Sequence, residues 1–369
     1  MAQRHLPGIC LAGIAALMLA VVACAPAAQP TPTTPPKAEA SAAAPTTAPA
    51  AAPTTAPTAA APSKVARPAN YPQKTITLIV PWNAGGSTDV GFRLVAPVME
   101  KIMGTPVQVV NKPGAGAQVG VTELAKSKPD GYTIGNVSAP AVQTIYLDPD
   151  RQAAFTWKDF APLALHVFDP GAIAVRADSK YKTLKDVIDD AKARPEQLKA
   201  STTGVMGDDH LAILMAQRAL GVKFAIVHFD GGAPATTALL GGHTDVAFNN
   251  VGDFYKHVKD GQMRVLAVMD KERNKFLPDV PTVKEALGVE IVSSSSRGVA
   301  APAGTPREIV WYLSDVWRQA MEDPTVSKRM EESGLTQRYM NPDEFNQYWL
   351  DVEKDVKELL PQAKETASK

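Results

Sequence analysis

Short apolar runs alternate with longer stretches of helical period from residue 71 to the end of the chain. Ile76–Val80 precedes a helical pattern over 90–103, Val107–Asn111 precedes 117–127, and Thr133–Val137 precedes a stretch that reads as helical or irregular. The rhythm resumes with Ala172–Val175, a helix over 183–193, Lys199–Thr202 and a helix over 208–220. Phe224–Val227, a short helix over 233–240, and Val246–Phe248 follow, then strands at Arg264–Val268 and Gly298–Ala301. From Pro306 onward the pattern is mostly helical. Strand–helix alternation of this kind predicts an α/β architecture, a mainly parallel sheet flanked by helices. Crossovers near 165–176 and 292–301 would make one domain of 71–171 plus 299–369 and another of 172–298.

Ahead of that region the pattern changes twice. Ile9 to Val22 is almost uninterrupted apolar sequence after Arg4 and His5, and it ends at Val21-Val22-Ala23-Cys24. A small residue before a cysteine after a short apolar core predicts a lipoprotein signal, 1–24, with Cys24 as the lipidated residue. An ordinary secretory signal or an uncleaved anchor is the competing reading, although the core is short for a bilayer span. Residues 25–70 are rich in Ala, Pro and Thr without apolar period, which predicts a disordered, extended tether.

Composition narrows the functions. The chain has 38 Lys plus Arg and 38 Asp plus Glu, a formal net charge of zero, which offers no steering toward nucleic acid. Its two cysteines, Cys10 and Cys24, both lie in the amino-terminal segment, so the globular part contains neither disulfide nor thiol chemistry.

Two loops stand out for their chemistry. In Pro81-Trp-Asn-Ala-Gly-Gly-Ser-Thr-Asp89 a strand opens through Gly85-Gly86 into a helix start, with Ser87, Thr88 and Asp89 available as caps. Free backbone N–H groups at such a start attract anions, although the same residues also suit a plain strand–helix turn. Ser201 to His210 repeats the design in the second half, with Asp208 and Asp209 placed to favour a helix N-terminus. A metal site from Asp208, Asp209 and His210 is disfavoured, because adjacent residues rarely converge on one ion. Gly114, Gly116 and Gly120 are spaced GxGxxxG, not GxGxxG, and read as tight packing. The histidines show no HExxH spacing, and no GxSxG elbow is present, so no catalytic set, cofactor or metal is expected.

At these residues the chain resembles the extracytoplasmic solute-binding proteins of tripartite tricarboxylate transporters, also called Bug or TctC-like receptors. Four blocks carry the resemblance: 81–89; Asn111-Lys-Pro-Gly-Ala-Gly116; His228-Phe-Asp-Gly-Gly-Ala-Pro-Ala-Thr-Thr-Ala-Leu-Leu-Gly-Gly-His-Thr-Asp245; and Gly298-Val-Ala-Ala-Pro-Ala-Gly-Thr-Pro306. Asp130-Gly-Tyr-Thr133 fits as well.

The resemblance implies a two-domain, periplasmic-binding-protein-like (type 2) fold whose cleft closes on a small mono-, di- or tricarboxylate. Carried onto this chain, the ligand-binding residues are Trp82, Asn83, Gly85, Gly86, Ser87 and Asp89 in the first loop, and Ser138 in the loop at 136–139. In the second half they are Thr202, Thr203, Gly204, Met206, Gly207, Asp208, Phe229 and Asp230. The implied partners are membrane permease subunits, and a monomer held on the outer face of the membrane by its lipid is expected. The chain departs from the family at Met206-Gly207-Asp208-Asp209, where many relatives carry small residues. An acidic side chain facing the cleft would repel a second carboxylate unless a cation or amine compensated. A ligand sensor for a signalling partner, and a secreted enzyme on the same scaffold, are the alternatives.

Overall fold

The computed structural model describes residues 65–368, all within one compact unit spanning Ala60–Lys369. The expected signal, Cys24 and nearly all of the tether lie outside the described residues. In chain order the first elements are β1 (Ile76–Val80), α1 (Ser87–Met103), β2 (Val107–Asn111), α2 (Gln118–Ala125), β3 (Thr133–Ala139), α3 (Ala141–Leu147) and β4 (Phe160–Arg176). Then come α4 (Leu184–Ala193), β5 (Lys199–Thr202), α5 (Asp208–Leu220), β6 (Ala225–His228), α6 (Gly232–Leu240), β7 (Val246–Asn250), α7 (Val251–Lys259) and β8 (Met263–Met269). The chain finishes with α8 (Val283–Leu287), β9 (Ser294–Pro302), α9 (Arg307–Glu322), α10 (Pro324–Glu332), β10 (Gln337–Met340) and α11 (Pro342–Ser368).

The predicted rhythm produces two parallel cores. β1 pairs in parallel with β2 and β3, and β5 pairs in parallel with β6 and β7. Antiparallel strands join them, which the alternation did not announce. Phe160–Pro170 of β4 runs antiparallel to β9, whereas Gly171–Arg176 of the same strand pairs with β7 and β8. β4 therefore belongs to both sheets and changes partners at Gly171. We call the part built on β1–β3 the first lobe and the part built on β5–β7 the second.

Local chemistry sets the helix ends. α1 buries Phe92, Val95, Ala96, Met99 and Met103 along one face, and it stops at Gly104, whose φ of 68° lets its N–H return to the Glu100 carbonyl. α4 starts at a reciprocal capping box between Thr183 and Asp186. Both faces of the first sheet are covered. On one, Phe92 packs edge-on to Trp317; on the other, Trp157 stacks on Trp349 at 4.0 Å. Full burial of each such ring contributes roughly 2–3 kcal/mol.

α11 is shared between the lobes. Its Phe345 and Trp349 lie in the first-lobe core, while Leu360 and Ala363 pack against Met206, Leu211 and Leu214 of the second. Arg218 of α5 also donates to the Gln362 side chain. Among the described residues no helix is long and apolar enough to cross a membrane.

Candidate functional site

Three helix starts meet where the lobes face each other. Gly86 and Ser87 open α1, Gly207 and Asp208 open α5, and Gly231 and Gly232 open α6. All six line one narrow chamber of about 30 Å³ together with Trp82, Thr203, Asn250, Asp253, Ser295 and Arg297. A second, roomier cavity of about 350 Å³ lies beyond Ser87 and Asp253, which border both spaces.

The caps expected from Ser87, Thr88 and Asp89 are not used. α1 has Gly86 at its N-cap with no side-chain cap. The Ser87 amide and hydroxyl instead donate to the two carboxylate oxygens of Asp253, both at 2.7 Å, and Asp253 belongs to α7 of the other lobe. The same carboxylate lies flat against Gly232, where an added Cβ would come within 2.2 Å of Oδ1. Asp89 is spent on its own loop. It accepts from Gly85 N at 2.9 Å, from Asn111 Nδ2 at 2.9 Å and from Arg93 Nε at 3.0 Å. Burial pushes its pKa up, but these bonds from Arg93, Gly85 and Asn111 prevail and hold it below the usual carboxylate range.

The remaining expected residues divide into walls and supports. Trp82 Nε1 donates to Asn136 Oδ1 at 3.3 Å, Ser138 Oγ donates to the same oxygen at 3.0 Å, and Asn136 Nδ2 donates to the Gly298 carbonyl. Ser138 thus orients the group that orients Trp82. Asn83 bridges the lobes, its N and Nδ2 both reaching the Asp230 carbonyl. Thr202 Oγ1 meets His228 Nδ1 at 2.7 Å, and Phe229 N donates to the Thr202 carbonyl. Gly204 lies behind Trp82, 3.7 Å from its ring at an added Cβ. Met206, with φ of 57°, turns its side chain into the apolar cluster with α11 rather than toward the chamber, and its carbonyl accepts from Thr144 across the lobes. Gly85 borders the roomier cavity instead of the chamber.

Asp208 and Asp209 are both buried. Asp208 accepts from Asn250 Nδ2 at 2.8 Å and lines the chamber, while Asp209 accepts from Thr203 N and His210 N inside its own loop. Burial raises the pKa of both; for Asp209 the neighbouring Asp208 charge adds to it. His210 accepts from Met206 N, and burial depresses its pKa to about 3. Among the described residues no three His, Cys, Asp or Glu side chains are grouped to hold a metal ion. Of the three glycines Gly120 is the packing contact, since an added Cβ there would lie 2.7 Å from the Lys112 carbonyl oxygen, whereas Gly114 and Gly116 take positive φ of 131° and 57°.

Sequence reasoning missed Arg297, Asn250, Asp253 and Ser295. Arg297 is 2% exposed and pairs with the fully buried Asp169 at 2.7 Å. Its one sequence signal is a lone arginine between four serines and the apolar end of β9. Burial raises the Asp169 pKa to about 7 against the pull of Arg297.

The chain is similar to known proteins over most of its length. Residues 91–364 match the family model described as tripartite tricarboxylate transporter family receptor, TctC. The chain is 33% identical over 306 residues to a protein encoded in the gbd 5' region of Cupriavidus necator, covering 82% of this chain and 91% of that one. It superposes on the periplasmic binding protein BugD with a TM-score of 0.73 and 28% identity, over 80% of this chain and 99% of BugD. MatC from Rhodopseudomonas palustris, solved with bound malate, gives 0.69 and 26% over 80% and 99%. The two-lobed periplasmic-binding type of α/β fold expected from the resemblance is thereby established.

Proposed function

Because this chain belongs to the tripartite tricarboxylate transporter receptor family, we propose that its cleft captures a small organic carboxylate outside the cytoplasm and hands it to a membrane permease. The observation that carries this reading is the convergence of three helix starts from both lobes on one chamber; their positive dipole ends favour negative charge, and the α1 end is met by the Asp253 carboxylate of the opposite lobe. MatC, a relative with malate bound, supports a carboxylate as the class of cargo.

On this reading 71–171 plus 299–369 form one domain and 172–298 the other, a division supported by the change of partners along β4 at Gly171. Trp82, Gly86, Ser87, Thr203, Gly207 and Asp208 contact cargo. Asn83, Gly85, Asp89, Ser138, Thr202, Gly204, Met206, Phe229 and Asp230 hold those loops in place. Cargo enters an open form, and closure across the Ser87–Asp253 and Asn83–Asp230 contacts traps it, shifting the population that the permease recognises. Cys24 carries the lipid, and the tether lets a monomeric receptor work at the outer face of the membrane.

A thermal-shift screen of the full-length protein against mono-, di- and tricarboxylates tests the reading. A micromolar ligand at millimolar concentration adds about 4 kcal/mol to stability, so at least one acid should raise Tm clearly. A flat panel on folded protein would overturn it.

A further inference from the structure

Four consecutive residues between β2 and α2 hold positive φ: Gly114 at 131°, Ala115 at 50°, Gly116 at 57° and Ala117 at 80°. Two of them are alanines, whose Cβ disfavours that region, and α2 starts on Ala117 with no side-chain cap. Such a turn persists only where its surroundings hold it. Here the holder is Arg151. Its Nη2 donates to the Ala115 carbonyl, its Nε donates to Gln118 Oε1 at 3.3 Å, and Gln118 Nε2 donates back to the Arg151 carbonyl at 2.9 Å. The remaining arm, Nη1, crosses to the second lobe and donates to the Val205 carbonyl at 3.1 Å. The turn meets that lobe as well. Gly116 N donates to Asp230 Oδ1 at 3.3 Å, and a Cβ on Gly204 would lie 3.4 Å from Gly116 Cα.

We infer that Arg151 is a positioning residue for cargo capture, riveting the 114–117 turn of the first lobe to the 203–207 loop of the second and so holding the cleft closed. The inference rests on the receptor reading above and adds a third fastening to the Ser87–Asp253 and Asn83–Asp230 contacts. Arg151 is not among the residues that line the chamber; it acts by fixing Thr203 and Gly207, which flank Val205 and do line it. An ionised donor makes hydrogen bonds roughly twice as strong as a neutral one. The planar guanidinium fork also reaches carbonyls on both lobes at once, which a lysine ammonium does not offer in fixed geometry. When the lobes part, the Val205 and Asp230 bonds are lost and the turn is left held from one side.

Arg151→Met and Arg151→Lys test this through the amides of Gly116, Asn83 and Ser87. All three donate across the lobes, and of them Gly116 alone lies beside Arg151. In the cargo-free, full-length protein, hydrogen exchange followed by NMR should quicken about ten-fold at all three together, as loss of a bond from a charged donor predicts. Amides inside β1 and β5 should keep the parent's rates. Each acid of the mono-, di- and tricarboxylate panel that raises the parent's Tm should also leave both variants about ten-fold faster in stopped-flow tryptophan fluorescence. Melting curves establish folding, and the lysine variant carries the test where the methionine variant is unfolded. Acceleration confined to Gly116 would show that Arg151 holds only its own turn and would overturn the inference, as would full protection in Arg151→Lys. Acids that bind the parent while Asn83 and Ser87 exchange as before in the variants would overturn the rivet and leave the receptor standing. Amides that quicken together in a protein no acid stabilises would uphold the rivet and overturn the receptor.

Discussion

Buried histidines and a buried aspartate set opposite pH dependences in this protein. Burial holds His166 and His210 near pKa 3 in the native state, against an ordinary value of 6.5. The unfolded chain therefore takes the protons first as pH falls. The associated stability is present above about pH 6.5 and is lost as pH drops toward 3. Between pH 7 and 5 each histidine should remove about 2 kcal/mol, and urea unfolding at the two values should show a smaller loss for His166→Phe than for the parent. Asp169 acts the other way. With its pKa raised to about 7, the native state keeps a proton that the unfolded chain gives up near 3.8, so its contribution fades as pH climbs between those values. A packing limit operates at the same scale. A methyl added at Gly298 would come within 2.1 Å of Phe345 Cζ in a fully buried ring contact. Gly298→Ala should therefore cost about 1–3 kcal/mol, read as a lower denaturant midpoint with the ligand panel otherwise unchanged in rank.

At the level of elements, the loop between β1 and α1 owes its shape to Asp89, which ties Gly85, Arg93 and Asn111 together. Asp89→Ala leaves a guanidinium and two other donors without that acceptor and should cost about 2–3 kcal/mol. It should also weaken cargo binding through the loop, which calorimetry would separate from unfolding. The β1–α1 and β5–α5 units were legible in the sequence because glycine turns after apolar strands leave local signals. β9 was longer than its apolar core suggested, since Ser294 to Arg297 extends it with polar residues that face the seam between lobes. The first half of β4 was missed because Pro162, His166, Asp169 and Pro170 break any alternation. β10 sits in a tail read as helical, a four-residue strand placed by its pairing with β4. Asp253 was invisible for a related reason. In sequence it is a first-turn acid on α7, and only the tertiary fold brings it to the head of α1.

For the whole molecule, closure is a matter of contacts made by the chain with itself. Ser87 with Asp253, Asn83 with Asp230 and Thr144 with Met206 all cross between lobes. Ser87→Ala removes one of the two bonds to Asp253 and should move cargo-free protein toward the open form. Small-angle scattering should then give a larger radius of gyration than for the parent, with compaction restored by a saturating ligand; an unchanged radius would show that this bond does not govern the balance. The far end of α11 brings temperature into the same balance. Leu360 and Ala363 rest on Leu211 and Leu214 of the opposite lobe, so parting the lobes would wet an apolar seam. Wetting such a surface raises heat capacity, and the attraction that resists it weakens on cooling. The receptor should consequently open more readily in the cold, and its binding enthalpy should grow more negative on warming. That slope should be steeper for the intact helix than for a chain cut after Leu359, so one family of titrations run from 10 to about 35 °C would register the seam as a change in heat capacity.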